Sequence, residues 1–316
     1  MNYLITGGTG FLGAHICKRL LQSDNHIVCY DIAPNATSIQ QVLTGEELAK
    51  ITLITGDIRD SVSLISTCQT YHIDRIIHLA GLLQGASDDN VRTTIDINVK
   101  GTVNVFEAAR LCGIRRVVWA SSISVIGRIP DTPLDTLLPS DTLHNPVSLY
   151  GNCKKLNEFI GSMYNQRYGL ETVGLRFTIL YGQARMRGAS NWIVSLINKP
   201  AVGEKGVVEY GDMMPDLLYI KDAARAVTLA CEAEHLTRSA YTIRGDSLPM
   251  TTARDTICKL LPDADITLLP GNMDLNMLVA PGPEREDLGY EPAYTFEEGA
   301  RETINSIRES RGLPLI

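Results

Sequence analysis

The 316-residue sequence predicts an α/β protein, in which a doubly wound parallel sheet is followed by a smaller α/β C-terminal lobe. Up to Leu180, short runs of β-branched residues alternate with helix-length amphipathic segments, which is typical of parallel strands connected by helices. Beyond Leu180, glycine and proline residues interrupt this pattern and the apolar runs become shorter. The change indicates a second structural unit.

The elements of the main sheet can be located from their β-branched runs. The predicted strands are Tyr3–Thr6, His26–Asp31, Ile51–Gly56, Arg75–Ala80, Arg116–Ser121, Thr172–Phe177 and, returning late in the chain, Ala240–Ile243. Between them, Thr94–Cys112 is predicted to be a one-sided helix that packs on the sheet. Its apolar residues, at spacings near three and four, are Ile95, Val99, Val103, Phe106 and Leu111.

The composition argues against several classes of protein. Lys and Arg number 29 against 36 Asp and Glu, and no long basic run occurs, so we expect no nucleic-acid partner. No apolar stretch approaches the ~20 residues that cross a bilayer, and no secretory signal is visible, so we expect a cytoplasmic protein without a membrane partner. The seven cysteines form no C-x-x-C pair and the six histidines have no ligand spacing, which indicates reduced thiols and no metal site.

A glycine-rich turn, Gly7–Gly13, follows the first predicted strand and precedes a helix pattern. Gly7 permits the tight turn, Gly10 lets the main chain approach a pyrophosphate, and Gly13 allows the helix to pack closely on the strand. The helix N-terminus, next to Phe11 and Leu12, adds amide donors and a favourable dipole. An ordinary glycine-rich turn is the alternative, but the strand-turn-helix context favours a Rossmann-type dinucleotide site.

Asp31 closes the second predicted strand, close to the ~20-residue spacing expected for the acid that binds the adenosine ribose. Its charge would repel a 2′-phosphate. The next residues, Ile32, Ala33 and Pro34, include no Arg or Lys that would favour NADP. An aspartate that merely caps a helix or turn is the alternative. We therefore predict NAD as the cofactor.

Two further segments end strands at the edge where open α/β sheets bind ligands. Asp57–Ile58 follows the third strand and Leu79–Gly81 ends the fourth, so they are candidate adenine and nicotinamide-side contacts. His78 is interpreted as a packed strand residue and not as a base. The predicted domains are a dinucleotide-binding domain (1–179, with 217–245 returning to it) and a substrate-binding lobe (180–216 and 246–316). Substrates commonly bind between two such units.

Tyr150 and Lys154 are four residues apart, so a helix would place both side chains on one face. A free tyrosine, with a pKa near ~10, is a poor base at neutral pH, but an adjacent ammonium group and an oxidised nicotinamide favour its phenolate. Tyr150 could then exchange a proton with a substrate hydroxyl, while Ser122, at the end of the fifth strand, hydrogen bonds the same oxygen. An exposed helical pair is the alternative for Tyr150 and Lys154 alone.

Several motifs together point to one family. They are Gly7–Gly13, Gly56–Asp60, His78–Gly81, Asn98–Thr102, Ala120–Ser122, Tyr150 with Lys154, Leu217–Ala226 and Leu288–Pro292. In these motifs, over nearly its whole length, the chain resembles the extended short-chain dehydrogenase/reductase superfamily, in particular the NAD-dependent epimerase/dehydratase family. The resemblance implies that Ser122 and Tyr150 are catalytic and that Lys154 bridges Tyr150 and the nicotinamide ribose.

The resemblance also implies a set of cofactor contacts and an assembly. Asp57 and Ile58 should lie near the adenine, and Asn98 near the cofactor. A homodimer would form through a four-helix interface made by the helices around Thr94–Cys112 and Tyr150–Tyr168. The full set of residues expected to hold NAD is Gly7, Gly10, Phe11, Leu12, Gly13, Asp31, Asp57, Ile58, Leu79, Ala80, Gly81, Asn98, Tyr150 and Lys154.

The substrate side departs from the family pattern. Nucleotide-sugar enzymes of this group carry an Asn and an Arg where this chain has Ile179 and Pro215, so we expect the substrate not to be a nucleotide sugar. Dehydration is disfavoured because Ile123 and Ser124 replace the acid pair that 4,6-dehydratases use. The candidate substrate contacts are Gln84, Ser87, Ser122, Arg185 and Arg187, although a surface loop and solvated arginines are the alternatives.

The leading hypothesis is therefore an NAD-dependent oxidoreductase. It would transfer a hydride between NAD and a secondary alcohol or ketone of a small polar or sugar-like substrate, with Tyr150 as acid/base. An NAD-retaining sugar epimerase is the alternative, since it needs the same three catalytic groups. A dinucleotide-sensing regulator without turnover is disfavoured, because Tyr150 and Lys154 are both present.

Overall fold

The computed structural model describes residues 1–34, 36–185, 190 and 192–316. Its strands, in chain order, are β1 (Asn2–Thr6), β2 (His26–Asp31), β3 (Ile51–Thr55), β4 (Arg75–His78), β5 (Arg116–Ser122), β6 (Glu171–Phe177), β7 (Ile179–Tyr181), β8 (Gly206–Val208), β9 (Asp216–Tyr219), β10 (Ala240–Ile243), β11 (Asp246–Ser247) and β12 (Ile266–Leu268). Its helices are α1 (Phe11–Leu20), α2 (Ala36–Gln40), α3 (Gly45–Leu48), α4 (Ser61–Thr70), α5 (Ala86–Asp89), α6 (Val91–Thr94), α7 (Thr102–Leu111), α8 (Leu149–Tyr168), α9 (Lys199–Ala201), α10 (Ile220–Glu232), α11 (Met250–Leu260), α12 (Glu284–Leu288) and α13 (Phe296–Ser310). Within the described ranges, no helix is both long enough and apolar enough to cross a membrane.

The central sheet has seven parallel strands in the order β3-β2-β1-β4-β5-β6-β10. This is a doubly wound, Rossmann-type arrangement, in which the direction of winding changes between β1 and β4. All seven strands coincide with predicted strands to within two residues at each end. The predicted return of Ala240–Ile243 to the sheet is confirmed by its parallel pairing with β6. The predicted fold class is confirmed.

Helices cover both faces of this sheet, because successive strand residues point to opposite sides. On one face, residues such as Ile5 and Ile27 belong to the same apolar layer as α1 and α10. On the other face, Leu4 and Val28 belong to the layer that includes α4, α7 and Tyr164 of α8. Because helices cover both faces of the sheet, a ligand can reach it at the edge formed by the carboxyl ends of the strands.

The predicted helix over Thr94–Cys112 is present, but its buried face was predicted correctly only in part. A π-helical segment, Ile95–Gly101, separates α6 from α7, and its wider turn shifts the residues that face the sheet. Ile95 and Leu111 are therefore exposed, at 39% and 54%. Phe106 is buried as predicted, but most of the other buried positions are small or polar and include Thr94, Asn98, Thr102 and Ala109.

Beyond β6 the chain builds two smaller sheets, with the orders β11-β9-β7 and β12-β8. The first is tied to the main sheet by Asp216, whose buried carboxylate accepts hydrogen bonds from Thr178 Oγ1 (2.6 Å), the Gly245 amide (2.7 Å) and Ser247 Oγ (2.7 Å). Within the predicted returning segment 217–245, α10 and β10 pack on or extend the main sheet, whereas β9 pairs outside it. The proposed domain boundaries stay a prediction.

Candidate active site

A cleft of about 630 Å³ opens at the carboxyl edge of the central sheet. One side is formed by the turn after β1 and by the ends of β2, β3 and β4, and the other by the end of β5, by α8 and by the C-terminal lobe. Most of the residues expected to hold NAD line it: Gly7, Gly10, Phe11, Leu12, Gly13, Asp31, Asp57, Ile58, Leu79, Ala80, Gly81 and Tyr150.

The turn between β1 and α1 has the shape of a phosphate cradle. Gly7 has a positive φ of +69°, and a Cβ there would lie 2.8 Å from the Ala80 amide nitrogen. A Cβ on Gly13 would lie 2.5 Å from the Gly8 carbonyl oxygen. Gly10 caps α1 in an extended conformation, and the first turn of α1 carries no acidic residue, so its amides are available to an anion. These features fit a dinucleotide pyrophosphate.

The two acidic residues on the cofactor side differ in their partners. Asp31 ends β2 and accepts a 2.8 Å hydrogen bond from Thr9 Oγ1, with its carboxylate at the cleft. Asp57 accepts hydrogen bonds from the amide and Nε of Arg59, both at 2.8 Å, and Arg59 holds the pKa of Asp57 below its usual value. Asp57 therefore stays ionised near neutral pH and can accept hydrogen bonds from hydroxyl or amino groups of a ligand.

Tyr150 and Lys154 are brought together by the first turn of α8. Ser148 caps this helix, its hydroxyl accepting a 3.0 Å hydrogen bond from the Gly151 amide. The ammonium of Lys154 lies 5.5 Å from the centroid of the Tyr150 ring and donates a 2.6 Å hydrogen bond to the Ala120 carbonyl. Lys154 is only 7% exposed and lies behind the wall of the cleft, whereas Tyr150 lines it.

Burial moves the pKa of both groups. It raises the pKa of Tyr150 to about 12, while a hydrogen bond with Ser122 acts in the opposite direction. It lowers the pKa of Lys154 to about 8, with Cys153 and Glu158 opposing the shift. In these surroundings Tyr150 is a protonated phenol that can donate a proton. Added positive charge beside the ring would make it a base.

Ser122 connects Tyr150 to a short chain of polar groups. Its hydroxyl donates to Ser124 Oγ at 3.1 Å and accepts from the Ser124 amide at the same distance. Ser124 Oγ in turn donates to Gln84 Oε1 at 3.5 Å. All three side chains line the cleft next to Tyr150, so the structure brings the predicted Ser122 and Gln84 together. Ser124 was not predicted as part of this group.

Glu158 is a further polar residue that the sequence analysis missed. Its carboxylate accepts from Ser121 Oγ at 2.7 Å and from Nε and Nη2 of Arg176, both at 2.8 Å. It thereby joins the ends of β5 and β6 to α8, one residue before Ser122. The signal was available, because Glu158 stands four residues after Lys154 and shares its helix face.

Besides Lys154, the predicted site residues Ser87 and Asn98 do not line the cleft. Ser87 is fully buried, and its hydroxyl donates to the carbonyls of Leu83 (2.8 Å) and Leu82 (3.3 Å), so the prediction of a substrate contact was wrong. The amide group of Asn98 is bonded to the main chain of Leu82 at 2.7 and 2.9 Å. Both side chains are therefore occupied in shaping the loop that carries Gln84.

The other predicted residues have different outcomes. Arg185 lines the cleft, whereas Arg187 lies outside the described residues. His78 is buried between Thr6 Oγ1 (2.7 Å) and Thr102 Oγ1 (3.1 Å), and burial lowers its pKa to about 3. It is a neutral packed residue, as the sequence analysis expected.

Comparisons with known proteins agree with this geometry. The model of the NAD dependent epimerase/dehydratase family matches residues 3–243. An uncharacterised protein of Methanocaldococcus jannaschii is 30% identical, over 98% of this chain and 97% of its own. UDP-glucuronate 4-epimerase 3 of Arabidopsis thaliana is 27% identical, over 94% of this chain and 74% of its own.

The fold is also found among solved structures. The crystal structure of UDP-glucose 4-epimerase from Thermus thermophilus in complex with NAD superposes with a TM-score of 0.81 at 22% identity, and the match covers 98% of this chain and 99% of that one. The cleft fits NAD, and the family match extends over most of the chain. This chain therefore belongs to the NAD-dependent epimerase/dehydratase family and is an enzyme of the extended short-chain dehydrogenase/reductase type that uses NAD.

Proposed function

We propose that this enzyme transfers a hydride between NAD and a secondary alcohol or ketone of a small polar or sugar-like substrate. One observation carries the proposal: the Tyr150 hydroxyl and Ser122 face the same cleft as the glycine turn and Asp31. A proton-transfer group and a dinucleotide cradle that share one cleft are what alcohol oxidation needs, since both a proton and a hydride must leave the substrate.

Each polar group has a distinct role in this proposal. Bound NAD supplies the hydride acceptor for oxidation and, in its reduced form, the hydride donor for reduction. Ser122 hydrogen bonds the substrate oxygen and orients it towards Tyr150. Tyr150 accepts the hydroxyl proton during oxidation and returns it during reduction. The buried ammonium of Lys154 stabilises the phenolate that forms, and it is expected to bind the nicotinamide ribose.

The substrate side of the cleft supports a small substrate over a nucleotide diphosphate. Ile179, at one of the two positions where nucleotide-sugar enzymes carry polar side chains, is 6% exposed and packed in β7. Pro215, at the other, offers neither a side-chain donor nor a backbone N–H. Met273 and Leu275 add apolar surface from the C-terminal lobe. At these two positions a diphosphate would lose its water without a side-chain donor to replace it.

The second candidate is an NAD-retaining sugar epimerase. It is favoured by the relatives, among which UDP-glucuronate 4-epimerase 3 of Arabidopsis thaliana is 27% identical to this chain. In an epimerase the same hydride would return to the opposite face of the substrate carbon. The chemistry at Tyr150, Ser122 and Lys154 would be unchanged, so these residues do not distinguish the two candidates.

Cofactor stoichiometry separates the candidates. Purified enzyme is incubated with NAD and a panel of small polyols, hydroxy acids and free sugars, and reduced NAD and ketone product are both quantified. We expect reduced NAD in a one-to-one ratio to product, and we expect calorimetry with the NAD-loaded enzyme to detect no binding of UDP-glucose or UDP-glucuronate tighter than millimolar. Conversion of either UDP-sugar to its 4-epimer without accumulation of reduced NAD would establish the epimerase instead.

We also propose that the enzyme acts as a homodimer in the cytoplasm. The support for the homodimer is an apolar surface on the helices that the family resemblance places in the dimer interface. On the π-helical segment Ile95 is 39% exposed, and on α8 Leu156 and Phe159 are 46% and 63% exposed. Large apolar side chains grouped on neighbouring helices are typical of a surface that a second copy covers.

A further inference from the structure

Arg185 lies on the loop that follows β7, where the C-terminal lobe meets the start of α1. It is the one Lys, Arg or His side chain among the described residues that line the main cleft. Its guanidinium carbon lies 5.8 Å from the centroid of the Phe11 ring, and Phe11 is the first residue of α1. The positive charge is therefore held beside the phosphate cradle and within the cleft.

The guanidinium group has few partners among the residues that the structure describes. Nη1 donates a 2.6 Å hydrogen bond to the Leu180 carbonyl, while Nε is buried and has no hydrogen-bond acceptor. No ion pair of Arg185 occurs within the described part of the chain. Residues 186–189, which follow it, are Met, Arg, Gly and Ala, so they contribute no carboxylate either. Four of the five N–H donors of this arginine therefore have no acceptor among the described residues, and those on Nη1 and Nη2 are the ones that a ligand could use.

A buried cation without a counter-ion is unfavourable, and burial alone lowers the pKa of Arg185 to about 10. A purely structural role would require the bond to Leu180 and the contact with Phe11 to offset this cost. Neither is an ion pair. An anion placed against the guanidinium would supply the missing charge and accept the N–H groups in a forked arrangement.

The neighbouring cavity has the opposite character. It has a volume of about 300 Å³, is lined by Asp135 and Asp212, and shares Leu275 with the main cleft. Two carboxylates there would repel an anionic group. An anion that enters the main cleft is therefore repelled by the neighbouring cavity and attracted towards Arg185.

We propose that Arg185 is the receptor for an oxyanion, a carboxylate or phosphate group, bound in the cleft. The proposal rests on the assignment of this cleft to NAD and substrate. Two sources carry the same chemistry: the pyrophosphate of the dinucleotide and an anionic group of the substrate. In the second case the substrate class narrows to secondary alcohols that bear a carboxylate or a phosphate.

Calorimetric binding measurements test this without any turnover, so that they do not depend on the proposed reaction. ADP and adenosine are titrated into the unliganded protein, and inorganic phosphate and acetate into the NAD-loaded protein. Each titration is repeated with Arg185→Gln, Arg185→Lys and the control Arg92→Gln, whose side chain is 93% exposed. Thermal unfolding midpoints show whether each variant is folded, and the lysine variant serves as the test if the glutamine variant is not.

We expect Arg185→Gln to weaken the binding of at least one anion about tenfold or more, as the loss of charged hydrogen bonds should. Arg185→Lys should retain part of that affinity, because it keeps the charge but not the fork. A loss for ADP but not for adenosine assigns the dinucleotide pyrophosphate as the source. A loss for phosphate or acetate alone assigns the substrate. Unchanged binding of ADP, phosphate and acetate in folded variants would overturn the proposal.

Discussion

The two sides of the cleft recognise their ligands by different means. The cofactor side consists of main-chain amides, close glycine contacts and two aspartates, which come from the turn after β1 and from the ends of β2, β3 and β4. On the substrate side the candidate contacts are side chains from two separate segments, with Ile179 and Arg185 in one and Met273 in the other. Main-chain recognition needs specific glycines at fixed places, whereas side-chain recognition can change one residue at a time.

This difference explains why a family can keep its cofactor while changing its substrate. A Cβ at Gly7 or Gly13 would lie within 3 Å of main-chain atoms, so the cradle tolerates little substitution. Ile179 and Met273 are restrained by side-chain packing, which tolerates replacement by another apolar side chain of similar volume. Three sets of variants test which residues act on the cofactor and which act on the substrate. The first concerns Tyr150, where the two sides of the cleft meet.

Replacement of Tyr150 by Phe should have the largest effect. The ring stays, so NAD affinity should be unchanged, but loss of the proton-transfer group should lower kcat about 10²- to 10⁴-fold. The matched control is Tyr168→Phe on the same helix, because Tyr168 is 54% exposed and far along α8 from the cleft. The measurements are kcat and the Kd for NAD. Full turnover in Tyr150→Phe would contradict the assignment of Tyr150 as the proton-transfer group.

Replacement of Asp31 by Ala should change the preference for NAD over NADP and should leave substrate binding unchanged. The wild-type enzyme should bind NAD more tightly than NADP, and removal of the charged acceptor should weaken NAD about 10- to 100-fold while NADP loses less. Asp24→Ala, at an exposed turn, is the control. Fluorescence titrations with both dinucleotides give the affinities. Equal affinity of the wild-type enzyme for NAD and NADP would show that Asp31 does not bind the ribose.

The smallest effect concerns His78, which is buried at the end of β4 between Thr6 and Thr102. Its pKa of about 3 in the folded protein is below the ordinary 6.5, so the unfolded chain binds more protons as pH falls. Stability is therefore complete above pH 6.5 and declines on acidification through the folded pKa. For this one group the free energy of unfolding should drop about 1 kcal/mol between pH 7.5 and 6.

Urea unfolding at these two pH values measures the effect of His78. The variant His78→Gln should lose about 1 kcal/mol less than the wild type over this pH interval, whereas His26→Gln, at an exposed position, should behave like the wild type. An identical pH dependence in His78→Gln would show that another group is responsible. Lys154, whose charge lowers the pKa of His78, is left in place in all three proteins.

The sequence was informative wherever a local rule decides the structure. The parallel strands follow from β-branched runs, and the cradle follows from glycines that the backbone itself requires. The prediction of which helix residues are buried failed at Ile95–Gly101, because a π-helical turn has a different period from the α-helical period that the prediction assumed. The prediction of a substrate contact failed at Ser87 because hydrogen bonds to Leu82 and Leu83, not polarity, decide where that hydroxyl points.

The substrate side was harder to predict for a different reason. The spacing from Lys154 indicates the helix face of Glu158, but its contacts with Ser121 and Arg176 arise only because α8 packs across the ends of β5 and β6. The small sheets of the lobe have strands of two to four residues, too short for a periodic signal. Their pairing depends on the segments they meet after folding.

Asp216 has a consequence for how the enzyme chooses its substrate. Its buried carboxylate is a three-way link between Thr178 at the cleft, Gly245 after β10 and Ser247 in β11. A hinge motion of the lobe about the β6–β7 junction would have to break charge-assisted bonds away from water, which is costly. We therefore expect the enzyme to select its substrate by the fit to a nearly rigid binding site. A substrate analogue that is one methylene too long should fail to bind, because the lobe does not close around it.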